Sequence, residues 1–274
     1  MIIRVFESAA ALANALAADV ARALKSNPRL VLGLPAGRTP IPLYGELARL
    51  HRAGRADFRR ARAFNLDEFI GVAANHPGSY RAFMRRQFFD RIKLARTSTD
   101  APRGDAQDVA RECARYERAI EQAGGIDLQI LGLGLNGHIG FNEPASALIA
   151  RTHRARLSPR TRRANAPLFG DRVSAVPRAA ISMGMATILG ARRLVLIATG
   201  ASKAASVQQL VEGPVTTRLP ASLLQLHPRA EIWLDRDAAS RLREVRAAAP
   251  RRLRRSRRGR SRGRRAGARA RGSK

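Results

Sequence analysis

Leu30-Val31-Leu32-Gly33-Leu34-Pro35-Ala36-Gly37-Arg38-Thr39-Pro40, followed by Ile41 to His51, reads as a buried strand, a glycine loop and a helix in immediate succession. The apolar run has strand length, and Pro40 falls in the first helical turn, where a missing N–H costs nothing. The same unit recurs outward in both directions. Ile2 to Phe6 predicts a strand and Ser8 to Lys25 an Ala-rich helix. Ala61 to Leu66 predicts a strand and Ser79 to Ile92 a helix. Helix 106–123, strand Ile126 to Leu133, a long irregular stretch through 170, strand Leu194 to Ala198, helix 202–212 and strand Glu231 to Leu234 follow. Strands alternating with helices predict an α/β fold with a mostly parallel sheet, and no internal repeat is visible. Such sheets bind ligands beyond the carboxyl ends of their strands, which directs attention to the loops after Leu34, Leu66, Leu133 and Ala198.

Composition narrows the class. With 274 residues, 45% of them hydrophobic, the chain can bury a sizeable core. No apolar run approaches the roughly 20 residues of a membrane span, and Met1-Ile2-Ile3-Arg4-Val5-Phe6 lacks the features of a signal peptide, so a cytoplasmic protein is expected. One cysteine, Cys113, excludes a disulfide framework and a multi-thiolate metal site within the chain, and its ordinary reading is a helix residue. The net charge of +30 resembles that of a nucleic-acid binder until it is located. Residues 251–274 hold 13 of the 51 Lys and Arg and none of the 21 acids, leaving 38 basic against 21 acidic groups in the first 250. The expected organisation is a catalytic domain over 1–250 and a disordered Arg-rich tail over 251–274, able to bind nucleic acid weakly and without sequence preference. Arg richness alone is weak evidence for a partner, because a GC-rich coding sequence produces it too.

Each of the four loops carries polar chemistry. Gly37, Arg38 and Thr39 precede a helix start, where exposed N–H groups suit a phosphate, although an ordinary glycine turn reads equally well there. Phe64-Asn65-Leu66-Asp67-Glu68-Phe69 puts two carboxylates at a strand end; partly buried, they raise each other's pKa and suit one for general-base work, where a solvated turn is the usual alternative. Leu131-Gly132-Leu133-Gly134-Leu135-Asn136-Gly137-His138-Ile139-Gly140-Phe141-Asn142-Glu143-Pro144 is the most informative stretch: its glycines permit close approach to a ligand, and Asn136, His138 and Glu143 bring an amide, an imidazole and a carboxylate. His138 is the best acid/base candidate. Lys203, in Ala198-Thr199-Gly200-Ala201-Ser202-Lys203, lies in a first helical turn, where the dipole disfavours a cation unless an anion joins it; plain solvent exposure is the competing reading.

Together these segments resemble the glucosamine-6-phosphate deaminase family from about residue 2 to Asp237, with further support from Asn75-His76-Pro77-Gly78-Ser79-Tyr80, Ala179 to Met185 and Leu224-Gln225-Leu226-His227-Pro228. The resemblance implies a Rossmann-like α/β/α sandwich, shared with 6-phosphogluconolactonases, and an amino-sugar phosphate as substrate. It implies Asp67 as the base moving a proton between C2 and C1, His138 as the acid/base that opens the pyranose ring, Asn136 and Glu143 as its positioning groups, and Gly37, Arg38, Thr39 and Lys203 as substrate contacts. No metal or redox cofactor is implied. Two departures stand out. Where the family carries an arginine for the substrate phosphate this chain has Pro167, with Arg163 and Arg172 the nearby arginines considered as substitutes. Arg151-Thr152-His153-Arg154-Ala155-Arg156 lacks the lysine of the family's allosteric site, so activation by an amino-sugar phosphate is not expected. Deamination of glucosamine 6-phosphate is the expected activity. A galactosamine-6-phosphate deaminase, a lactonase-like enzyme and a catalytically impaired sugar-phosphate binder are the alternatives, and a homo-oligomer is compatible with the sequence.

Overall fold

The computed structural model describes residues 1–243; the tail expected at 251–274, and the last residues of the domain expected over 1–250, lie outside them. Strand β1 (Ile2–Phe6) leads into α1 (Ala9–Ser26), whose start is capped by the Ser8 hydroxyl accepting from Ala11 N at 3.2 Å. There follow β2 (Val31–Leu34), α2 (Ile41–Arg52), β3 (Arg62–Asn65), β4 (Asp67–Phe69), α3 (Tyr80–Gln87), β5 (Thr99–Asp100), α4 (Val109–Gln122) and β6 (Leu128–Gly132). The chain continues through β7 (His153–Arg156), α5 (Pro159–Asn165), β8 (Ala179–Ser182), α6 (Met185–Leu189), β9 (Arg193–Ala198), α7 (Ala204–Glu212), β10 (Ala230–Asp235) and α8 (Arg236–Ala239).

Seven strands form one parallel sheet in the order β1-β10-β9-β6-β2-β3-β5. Successive strand residues point to opposite faces. Leu32, Leu34, Ile130, Val195 and Ile197 therefore pack against Leu12, Leu16 and Val20 of α1 and Leu43 and Leu47 of α2. Their neighbours Val31, Leu131, Leu194 and Leu196 pack on the other side against Tyr116 and Ile120 of α4 and Val207 and Leu210 of α7. Two apolar cores on one sheet make the expected α/β/α sandwich. From β2 the chain builds one way through β3 to β5, and from β6 it builds the other way through β9 to β10. The crevice between the carboxyl ends of β2 and β6 is therefore the topological switch point, the favoured ligand site of such sheets.

Three expected elements change. The 79–92 helix ends at Gln87, because Phe88 leaves helical geometry (φ −140°, ψ −63°). Its buried ring packs on Tyr44 and Phe58 at centroid distances of 5.0 and 5.4 Å, and the chain continues as a 3-10 turn over Phe89–Ile92. The helix expected over 106–123 starts only at Val109, after the Asp108 cap. The stretch expected to be irregular through 170 contains β7 and α5. Strand β7 joins β8 and β4 in a small antiparallel sheet, with Asp67 and His153 both opposite Ser182. This second sheet turns the chain sharply after Asn65 and puts Asp67 at the junction of the two sheets.

Candidate active site

A cavity of about 310 Å3 opens at the switch point, within the size range of small-molecule sites, about 300–1,000 Å3. All four loops selected from the sequence meet there: Gly37, Arg38 and Thr39 after β2, Asp67 after β3, Asn136 and His138 after β6, and Lys203 after β9 all line it. Glu143 stands behind His138 rather than on the wall. The β2 loop is anchored from below by the buried Tyr44 hydroxyl, which donates to Pro35 O at 2.5 Å, and Gly37 turns it at φ +106°.

Asp67 and Glu68 are adjacent but face different surroundings, because strand residues alternate. Glu68, 1% exposed, turns away from the cavity and accepts from Ser79 Oγ at 2.7 Å, Tyr80 N at 3.0 Å and Arg81 N at 2.9 Å, so it anchors the start of α3. Asp67, 6% exposed, lines the cavity instead. Burial pushes its carboxyl up to about 8, and the neighbouring Glu68 charge adds to the rise. The sequence expectation that each acid raises the other is therefore corrected in its order of causes: desolvation dominates. Only one of the pair faces the cavity.

The 134–143 loop folds back on itself, with Gly134 N donating to His138 O at 2.9 Å and Gly137 N to Gly134 O at 3.0 Å. Gly137 has φ +82°, and a Cβ on Gly134 would come within 2.5 Å of the His138 ring, so both glycines are required by the loop's shape. The His138 Nδ1 lies 3.7 Å from Glu143 Oε2, an electrostatic contact longer than a hydrogen bond. Asn136 Nδ2 donates to the same Oε2 at 2.6 Å, while its Oδ1 accepts from His138 N at 3.3 Å. On its other oxygen Glu143 accepts from Ser158 Oγ at 3.1 Å and from the Thr161 hydroxyl. Burial alone would raise the Glu143 carboxyl, but His138, Thr161 and Asn136 together hold it at about 2, so it is anionic at neutral pH. Ser158 and Thr161 are not among the residues expected from the sequence; the helix-cap signature Ser158-Pro159 is their only local signal.

Cations gather around Lys203 on the cavity wall. Burial, reinforced by the guanidiniums of Arg160 and Arg38, pushes the Lys203 ammonium down to about 8. Its Nζ donates to Leu133 O at 2.5 Å. Pro167 is exposed and does not line the cavity, and neither do Arg163 and Arg172, the substitutes considered from the sequence. Arg160 lines it instead, from the first turn of α5, on the same face as Thr161, Ala164 and Asn165. Nothing local in the sequence distinguishes Arg160 from its neighbours Arg162 and Arg163; the direction of α5 across the cavity selects it.

Among the described residues no group of three or more His, Cys, Asp or Glu side chains is placed to hold a metal ion. No helix among them is long and apolar enough to cross a membrane. Cys113 is buried on α4, away from the cavity, and burial pushes its thiol up to about 11.

Comparison with known proteins identifies the family of the chain. The sequence profile of the family described as glucosamine-6-phosphate isomerases/6-phosphogluconolactonase matches residues 5–233. A glucosamine-6-phosphate deaminase from Arthrobacter sp. (strain FB24) is 48% identical over 231 residues, covering 84% of this chain and 88% of the relative. One from Beutenbergia cavernae is 47% identical over 234 residues, covering 85% and 90%. Among solved structures, a monomeric glucosamine-6-phosphate deaminase superposes with a TM-score of 0.85 at 38% identity, over 88% of this chain and all (100%) of the other. A 6-phosphogluconolactonase from Trypanosoma cruzi, 21% identical with a TM-score of 0.71 over 88% of this chain and 97% of the other, shares the fold. The protein with this cavity belongs to the glucosamine-6-phosphate isomerase/6-phosphogluconolactonase family.

Proposed function

We infer that this chain converts glucosamine 6-phosphate and water to fructose 6-phosphate and ammonia. The observation that carries this reading is a single buried carboxyl, Asp67, facing the same cavity as a histidine backed by a carboxylate and a cluster of three cations. The substrate phosphate sits among Arg38, Lys203 and Arg160, with the N–H groups of the Gly37–Thr39 loop beside it. His138 moves the proton between O1 and O5 that opens the pyranose ring, and Asn136 and Glu143 hold and polarise it. Asp67 then takes the proton from C2 while the substrate's C2 ammonium gives one to O1, leaving an enolamine, and Asp67 returns its proton to C1 as the freed nitrogen lone pair forms a C2=N bond. Water adds to C2 and ammonia leaves. Lactone hydrolysis moves no proton from C2, so a carboxyl facing the cavity, able to take that proton once ionised, favours the deaminase. Ammonia release from glucosamine 6-phosphate should exceed that from galactosamine 6-phosphate, with no hydrolysis of 6-phosphogluconolactone. Lactone hydrolysis without ammonia release would reverse the assignment.

Arg160 takes the phosphate-binding part that Pro167 cannot. A hydrogen bond to a charged group strong enough to matter here implies that Arg160→Gln raises KM by about ten-fold or more, with kcat little changed. Arg160→Lys should recover part of the loss. Pro167→Arg, lying off the cavity wall, should change KM far less. Steady-state kinetics on the three variants decides the matter, and an unaltered KM in Arg160→Gln would remove the residue from the site.

A cytoplasmic location fits an enzyme acting on a phosphorylated sugar, and a homo-oligomer is compatible with the reading. Residues 251–274, with 13 basic and no acidic side chains, are proposed to supply nucleic-acid affinity and to be dispensable for turnover. Its attraction for nucleic acid should fall by about 0.7 to 0.9 log units in affinity per log unit of salt for each phosphate neutralised. Deleting 251–274 is expected to spare ammonia release and largely remove DNA retention at low salt. Loss of turnover, or equal DNA retention by both forms, would defeat this division of the chain.

A further inference from the structure

A second cavity, of about 380 Å3, lies beyond the carboxyl ends of β3 and β5, on the far side of Asn65 from the first. Its wall carries four arginines, Arg81, Arg85, Arg86 and Arg96, against two aspartates, Asp90 and Asp100. Both acids are already engaged: Asp90 pairs with Arg85, and Asp100 with Arg115 at 2.7 Å. Among the described residues Arg81, Arg86 and Arg96 have no carboxylate partner. Arg81 is half-buried, Arg86 and Arg96 are exposed, and Arg86 already donates to Pro77 O at 2.9 Å, so the wall keeps an excess of positive charge, at Arg81 and Arg96 above all, that favours an anion.

Asn65 supplies an independent observation. It lines the same cavity, is 1% exposed, and neither its Nδ2 nor its Oδ1 has a hydrogen-bond partner. A buried amide left without partners costs stability, whereas a leucine of similar size would cost none. A ligand that accepts from Nδ2 and donates to Oδ1 would offset that cost. Arginines recognise phosphate through paired N–H groups, and the cavity is larger than the 310 Å3 of the active site, too large for a bare phosphate to fill. The two cavities have no lining residue in common, and none of the second cavity's residues falls in Arg151 to Arg156.

We propose that this cavity is a second anion site that binds a small hydroxylated phosphate monoester, its phosphate held by Arg81 and Arg96 and a hydroxyl by the Asn65 amide. The assignment does not depend on the reaction proposed for the first cavity. Calorimetric titration of the full chain with glucose 6-phosphate, and separately with inorganic phosphate, tests it. Two binding events are expected with glucose 6-phosphate. Lys203→Gln with Arg160→Gln should weaken one, and Arg81→Gln with Arg96→Gln should weaken the other at least ten-fold. Asn65→Leu should weaken that same event while Tm holds or rises, which separates loss of a ligand contact from damage to the fold. A wild-type protein with no binding event that Arg81→Gln with Arg96→Gln weakens would overturn the proposal. So would a fall in Tm for Asn65→Leu, which would make the amide a structural group. Inorganic phosphate binding as tightly as glucose 6-phosphate would mark an adventitious ion only and overturn it as well.

Discussion

Asp67→Asn is expected to lower kcat by about 10²- to 10⁴-fold, the usual worth of a positioned general base, while leaving KM near its wild-type value. The substitution keeps shape and volume at a position that is 6% exposed, and removes only the ability to take the C2 proton. In the wild-type protein kcat/KM should climb with pH toward about 8 as the Asp67 carboxyl ionises; in the variant that limb should vanish. The same group makes a stability prediction with a definite sign. Its folded pKa of about 8 lies above the unfolded value of about 3.9. The native state therefore holds more protons than the unfolded state between those two values, and stability falls as pH rises through that window. The amide of the variant has nothing to ionise, so the variant should melt above the wild-type protein at pH 9 and the gap should close in acid. Near wild-type kcat would remove Asp67 from proton transfer. A gap in Tm independent of pH would show that the carboxyl is not held protonated by burial.

His138→Gln is expected to slow turnover by about 10²- to 10⁴-fold as well, through a different step. Glu143, held at about 2, stays anionic across the working pH range and favours the imidazolium that forms as His138 takes a proton. Glutamine fills the same space and cannot relay a proton, so ring opening becomes the slow step while Asp67 remains able to act on any open-chain substrate. The readout is the isotope effect with glucosamine 6-phosphate deuterated at C2. In the wild-type protein it should report proton transfer to Asp67; in His138→Gln it should collapse toward unity because an earlier step limits the rate. An isotope effect that persists undiminished alongside the slowing would move His138 from ring opening to the C2 proton transfer itself.

Much of this protein is legible in its sequence, because much of it is local. Apolar runs at Leu30–Leu34 and Leu194–Ala198 and the periodic Ala-rich helix after Ser8 depend on short-range patterning, and they appear as β2, β9 and α1. The glycine-rich string from Leu131 to Pro144 likewise carries Asn136, His138 and Glu143 within one loop, where their proximity needs no long-range contact. What depends on distant partners is not legible. Strands β4 and β7 are three and four residues long and are strands only because β8 pairs with both, more than a hundred residues from β4; so short a segment has no pattern of its own, and β preference follows context. The division of labour between Asp67 and Glu68 is equally hidden, since it rests on Ser79, Tyr80 and Arg81 capturing Glu68 and on burial raising Asp67. Arg160 is one arginine among several in its stretch until α5 is laid across the cavity. Local chemistry can be read from neighbours in the chain, but which carboxyl is desolvated and which guanidinium faces a ligand are properties of groups brought together from far apart, and they are set by the packing of the folded chain.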